Sequence, residues 1–195
     1  MGRPKLSIKL WKGERLGGIA LKRAIISDLD RIIIVTRDED NLEWLPNECN
    51  DDGLLGKCQN VVCEEAAQGM AYSLRCGLAA AQALGATAVV VMLADQPFLT
   101  SGMINRLIEE YRKNPRLQFV ASGDGRRKKP PILWEQSMFN LLMSLEGDEG
   151  ARIFLESPDY KGLVIAEPLH DRFLDADTIE DIRVIIKRRH KNSSL

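Results

Sequence analysis

The sequence predicts an α/β fold, Rossmann-like, in which a mostly parallel sheet is flanked by helices. Three observations carry this expectation. Strand and helix signals alternate along the chain, the pattern of a sheet whose connections cross its faces. Two short segments, RIIIVT at 31–36 and AVVVML at 88–93, are apolar at nearly every position, as strands covered on both sides are. The second runs into Asp95-Gln96-Pro97, where Pro97 withholds a ladder donor and blocks an immediate helix. Ligands of open α/β sheets bind in the crevice beyond the carboxyl ends of strands, so Asp95 is the first candidate functional residue.

The elements follow in order. ERLGGIALKRAIIS (14–27) reads as a helix weakened by two glycines, followed by the strand at 31–36. Residues 37–60 are polar and rich in Asn, Asp and Gly, an irregular connection. NVVCEE (60–65) is a short strand. GMAYSLRCGLAAAQAL (69–84) is a helix with Met70, Leu74 and Leu78 turned inward at spacing four. After the strand at 88–93, residues 100–114 form a helix capped by Thr100, with Met103, Ile104, Leu107, Ile108 and Tyr111 on one face. LQFVAS (117–122) and PILW (131–134) are strands around the basic loop GDGRRKK. Helices are expected near 135–145 and 148–157, a strand at 163–167, and a C-terminal helix with Ile179, Ile182, Ile185 and Ile186 inward.

The start departs from the pattern. MGRPKL offers no strand before the first helix, although a doubly wound sheet normally begins with one that becomes central. The expectation is a fold whose first strand is missing from this sequence.

At 195 residues, with 45% hydrophobic and 28% charged, the chain suits a single domain spanning 1–195 with a substantial core. A net charge of −1 argues against a general nucleic-acid binder. No apolar run approaches the roughly 18–20 residues needed to cross a bilayer. Cys49, Cys58, Cys63 and Cys76 lack the paired spacing of zinc or redox motifs, and reduced thiols in a cytoplasmic protein are the plain reading.

Five patches, in order along the chain, resemble one family. MGRPKL resembles the tail of the signature L-A-A-G-x-S-x-R-M-G-x-x-K. QGMAYSLRCGL (68–78) resembles its G-x-x-x-S-L-x-x-G-L segment, and LADQPFL (93–99) its D-Q-P-F/M motif. GDEGAR (147–152) and DADTIED (175–181) resemble its G-D-x-G-A-R and D-x-D-T-x-x-D ending. On these motifs the chain is identified as a member of the MobA/MocA-like nucleotidyltransferases that attach a nucleotide to molybdopterin. Within them it looks most like the PucB-type purine-catabolism branch, associated with maturing xanthine dehydrogenase. Two departures stand out: the front half of the signature is absent, and KKPPILW stands where the family usually has a G-H-P before its strand.

The resemblance implies a nucleotide-diphospho-sugar transferase-like fold and a magnesium-dependent transfer of a nucleotide, CMP from CTP first, GTP or ATP otherwise, to molybdopterin. Such a reaction joins two anions, so it needs a metal held by carboxylates and cations on the triphosphate. Asp95 and Asp177 are the implied metal ligands, with Asp175 a weaker third. Lys5 and Gly2 carry over as the surviving part of the phosphate loop, and Lys5 and Asp95 as the catalytic pair. Gln68, Gly69 and Ser73 open a helix whose free N–H groups suit an anionic ligand. Asp148 would cap the helix at 148–157 and border the molybdopterin end of the cleft. Asp177 has a second reading, as the N-cap of the last helix with Glu180 three residues on. The run RRKK (126–129) reads as a solvated loop. The partners implied are a nucleoside triphosphate and molybdopterin, with xanthine dehydrogenase a candidate protein partner; no nucleic acid and no membrane. A sugar-1-phosphate nucleotidyltransferase and a non-catalytic carrier of finished cofactor remain as alternatives.

Overall fold

The computed structural model describes residues 4–11, 13–50, 57–124, 127–148 and 150–192. A 3₁₀ turn at Lys5–Ser7 precedes helix α1 (Leu16–Ile25), which leads into strand β1 (Ile32–Thr36). Then come β2 (Cys58–Val62), α2 (Met70–Ala83), β3 (Ala88–Val91), α3 (Ser101–Lys113) and β4 (Phe119–Gly123). The chain continues through β5 (Lys128–Glu135), α4 (Phe139–Met143), α5 (Arg152–Glu156), β6 (Gly162–Ala166) and α6 (Ile179–Asn192). Strands and helices alternate as expected.

β1 and β2 pair in parallel, Ile32 opposite Cys58 through to Thr36 opposite Val62. The remaining strands form a second sheet in the order β3-β5-β4-β6. Strands β3, β4 and β6 run one way, and β5 runs antiparallel to both its neighbours. The reversal of β5 has a local cause. Only antiparallel strands can be joined by so short a turn, and this one is closed by Asp124, whose carboxylate accepts the Arg127 amide at 2.8 Å.

β1 and β3 each keep one edge without a partner strand, and no strand precedes α1 among the described residues. The same helices nevertheless cover both sheets. On one face, Leu21, Ala24 and Ile25 of α1 and Ile104, Leu107 and Ile108 of α3 share a core with Ile32 and Ile34, Val90, Val120 and Leu133. On the other face, α2 sets Leu74 and Leu78 beside Val89 and Val91, and the cluster continues through Phe119, Trp134, Phe139 and Leu142. The side chains of β3 alternate between the two cores, which is why a strand of this position reads as unbroken apolar sequence.

The two glycines that weaken α1 on propensity have a packing reason. A Cβ on Gly17 would lie 2.5 Å from the Trp44 ring, and one on Gly18 would lie 2.7 Å from the Trp44 carbonyl. Trp44 is buried there, its indole N–H donating to Asp40 at 3.0 Å. That contact anchors part of the 37–60 connection to the core.

Several boundaries differ from the sequence reading. β2 begins at Cys58, inside the stretch expected to be irregular, and ends at Val62, after which Glu64–Gln68 forms a 3₁₀ turn. β3 stops at Val91, short of Leu93. Met70 and Ile179, expected inward, are 51% and 58% exposed; each is the first residue of its helix, and in α2 it is the next residue, Ala71, that enters the core. Lys128 and Lys129 are not a solvated loop but the first residues of β5; Lys128 donates to the Leu155 carbonyl and Lys129 pairs with Asp124 at 3.2 Å. The four cysteines form no disulfide, and Cys49 and Cys58 place their sulfurs 4.0 Å apart. No helix among the described residues is long and apolar enough to cross a membrane.

Replacing Gly17 with Ala is expected to destabilise the protein by about 1–3 kcal/mol through overpacking against Trp44. Urea unfolding of the variant against the parent measures it, and the companion change Gly102→Ala, at a helical glycine whose Cβ would meet nothing closer than 3.9 Å, controls for a general glycine effect.

Candidate active site

Three segments far apart in sequence meet beyond the carboxyl end of β3. Leu16, Phe98, Ala176, Ile182 and Ile185 form a third core cluster, joined by Ile8, Leu10 and Trp11. Trp11 stacks on Phe98 with centroids 5.9 Å apart. This small core is built from the N-terminal segment, the turn after β3 and the face of α6. It therefore holds together the three stretches that carry Lys5, Asp95 and Asp177.

The backbone adds the register. The Ala176 amide donates to the Asp95 carbonyl at 3.1 Å, and Gln96 Nε2 donates to Asp175 Oδ1 at 2.8 Å. Ala176 is fully buried, so in an extended stretch its neighbours Asp175 and Asp177 turn back toward the β3 end. Arg172 reinforces the same junction by donating to the Phe98 carbonyl at 3.0 Å.

Lys5 Nζ lies 2.5 Å from Asp95 Oδ2 and 2.7 Å from Asp177 Oδ1. Burial alone would lower the ammonium pKa, but hydrogen bonds and charge attraction from the two carboxylates outweigh it and the pKa is raised. Asp95 Oδ1 is buried and accepts no hydrogen bond, and neither does Gln96 Oε1. An orphaned carboxylate oxygen facing a second acid suits a hard oxygen-seeking cation. Asp175 is the third acid here, held by Gln96. Burial raises its pKa; the Gln96 bond opposes that, and the neighbouring Asp95 and Asp177 charges add to it. The described residues contain no cluster of three or more His, Cys, Asp or Glu side chains already in metal-binding geometry, so Asp95 and Asp177 would act as a pair.

The capping alternative for Asp177 is corrected by one residue. Thr178, not Asp177, caps α6: the Asp181 amide donates to Thr178 Oγ1 at 3.1 Å, and Asp181 Oδ2 accepts from the Thr178 amide and hydroxyl at 2.7 Å each. The box is Thr-x-x-Asp, closed reciprocally. Glu180 pairs with Arg183 instead. Moving the cap to Thr178 leaves the Asp177 carboxylate available to Lys5.

A second group gathers at the start of α2. Gly69 has φ +139°, and a Cβ there would stand 2.2 Å from the Gly147 carbonyl oxygen. That carbonyl accepts the Ala71 amide at 3.0 Å. The QGMAYS and GDEGA motifs thus touch through bare backbone, and only glycine permits it. Gln68 and Asp148 are exposed on either side of this contact, and Ser73 is half-buried in the second turn of α2. Asp148 does not cap a helix: α5 begins at Arg152, and its preceding residue Ala151 makes no side-chain cap. Gly2 lies outside the described residues.

Sequence reasoning passed over Gln96 and Lys129. Gln96 is buried and holds Asp175; its place inside the Asp95-Gln96-Pro97 step was the available signal. Lys129 lies over the Phe173 ring and opposes the pKa rise of Asp175, but it joins the site through β5, which no local pattern announces.

An α/β domain that gathers acids and a lysine beyond a strand end has the make-up of a nucleotide-handling transferase. The sequence matches the MobA-like NTP transferase domain over residues 1–162, and the chain belongs to that family. Purine catabolism protein PucB of Bacillus subtilis (strain 168) is 32% identical over 187 residues, covering 95% of this chain and 89% of the relative. Among solved structures, Rv0371c of Mycobacterium tuberculosis H37Rv in complex with manganese superposes with a TM-score of 0.68 at 22% identity, covering 95% of this chain and 93% of that one. Molybdopterin-guanine dinucleotide biosynthesis protein A from Archaeoglobus fulgidus does so with a TM-score of 0.67 at 15% identity, covering 97% and 92%. These two likenesses establish a shared fold, the nucleotide-diphospho-sugar transferase type.

A raised folded-state pKa for Asp175 means that the folded protein holds that proton more tightly than the unfolded chain. Stability from this group is then lost as pH rises from its ordinary value of 3.8 through the raised one, and is flat above. Asp175→Asn keeps an acceptor for Gln96 and removes the titration. The variant should gain stability relative to the parent as pH rises from about 4 until the parent's folded-state Asp175 carboxyl is ionised, measured by urea unfolding as a function of pH. A pH-independent difference would contradict it.

Proposed function

We propose that this chain is a single-domain, divalent-metal-dependent nucleotidyltransferase that attaches a nucleotide to molybdopterin cofactor. CMP from CTP is the first choice of nucleotide, and xanthine dehydrogenase the candidate recipient of the product. The observation that carries the reading is the convergence of Lys5, Asp95 and Asp177 on one point beyond β3. Family membership makes the reaction class a nucleotidyl transfer. The name of the PucB relative supports a purine-catabolism setting, and that of the archaeal neighbour supports molybdopterin as acceptor.

The chemistry asks little covalent help from the protein. A phosphate oxygen of the acceptor attacks the α-phosphorus of the triphosphate, the α–β bridging bond breaks, and pyrophosphate leaves. Asp95 and Asp177 would hold a magnesium ion, and the manganese complex of the mycobacterial neighbour supports a divalent cation in this fold. When bound, the ion offsets negative charge as it builds on the phosphate oxygens. Lys5 contributes a mobile point charge to the triphosphate. The start of α2, opened by Gly69, offers amides to a polar or anionic edge, with Gln68 and Ser73 beside it. Asp148 borders the acceptor side.

Asp95→Ala should lower turnover by roughly 100-fold or more, the usual scale for losing one electrostatic stabiliser, while leaving the fold intact by circular dichroism. Pyrophosphate release from CTP, GTP and ATP with molybdopterin measures it. Full activity in the variant sinks the metal assignment, and turnover with a sugar phosphate in place of molybdopterin sinks the acceptor.

A further inference from the structure

We propose that Lys5 is an exchangeable counter-ion: its ammonium fills the position between Asp95 and Asp177 that a divalent cation takes when nucleotide arrives, and it moves to the triphosphate as the cation enters. The proposal rests on the metal reading above and adds a regulation to it, namely that the protein without nucleotide resists metal.

Three observations lead there. First, one nitrogen bridges two carboxylates at 2.5 and 2.7 Å, so a cation seated between the same oxygens cannot coexist with it. Second, the bridge is incomplete. The ammonium reaches Asp95 Oδ2 and leaves the buried Oδ1 with no partner, whereas a hydrated divalent cation brings six or more coordination positions, through which the ion or a water bound to it can engage that oxygen. Third, the parts are free to trade. Lys5 sits on a single 3₁₀ turn rather than a long helix, its side chain is 29% exposed, and Asp177 is 70% exposed. A flexible stem with a compact charge can swing without moving backbone.

Charge favours the exchange only when both ligands come. Two carboxylates with one ammonium leave a net single negative charge, and a divalent ion in its place balances the pair. The displaced ammonium then needs an anion, which the triphosphate supplies. Without nucleotide, metal entry strands Lys5 beside a cation of like charge. Metal and nucleotide therefore bind cooperatively, and by linkage each raises the affinity of the other by the same factor.

The test is manganese binding, followed by electron paramagnetic resonance and by the thermal midpoint, on the parent, Lys5→Met and Asp95→Ala, each with and without CTP. Lys5→Met should bind manganese about tenfold or more tightly than the parent in the absence of CTP, since a competing unit charge within contact distance is gone. Its thermal midpoint should also rise more on manganese addition than the parent's. CTP should tighten manganese binding in the parent and do so far less in Lys5→Met. Equal or weaker manganese binding by Lys5→Met overturns the exchange while leaving the metal site standing. Equal binding by the parent and Asp95→Ala in the presence of CTP overturns the metal site, and the exchange with it.

Discussion

The Ala176 amide reaching the Asp95 carbonyl is the bond on which the acidic site turns. It ties the stretch before α6 to the turn after β3, and it does so beside a core of Leu16, Phe98, Ala176, Ile182 and Ile185 that has almost no other purpose. Burying those side chains stabilises the junction enough to hold like charges near one another. Asp95, Asp175 and Asp177 would otherwise drive the two segments apart, since close carboxylates disfavour shared ionisation. Lys5 offsets two of them directly, while burial favours a proton on the third and the Gln96 hydrogen bond steadies what charge it keeps.

The cap of α6 serves the same end. Had Asp177 been spent on the helix amides, its oxygens would have faced the α6 axis rather than Lys5. Thr178 and Asp181 satisfy those amides between themselves, so the helix start is closed and the preceding acid remains a ligand. Gly69 solves a different problem. It brings two motifs to backbone contact at the start of α2, where a side chain at that position would have kept them apart.

Much of this was legible in the chain. AVVVML announced a strand packed on both sides, and its two cores are the reason. Thr100 was readable as a cap, and its hydroxyl does accept the Met103 amide. MGRPKL carries no strand signal, and among the described residues one edge each of β1 and β3 has no partner strand. Asp95, Asp177 and Lys5 were each suspected from motif resemblance, and each falls in one cluster. What misled was local. DADTIED allows a cap at either Asp177 or Thr178, because both types accept helix amides and both have an acid three residues on. RRKK looked solvated because four charges in a row carry no mark of the strand that begins within them. Met70 and Ile179 fit the helical period, but periodicity does not say where a helix first touches the core.

From its sequence alone this protein was set as an alternating α/β chain with acids and a lysine at the ends of its elements, since hydrophobic period and turn chemistry are local properties. Only the tertiary structure decided which acids meet, that one ammonium spans two of them and that Gln96 is buried behind the site. Those outcomes depend on side chains separated by most of the chain's length sharing one small core, and no local pattern records which distant partners a burial will bring together.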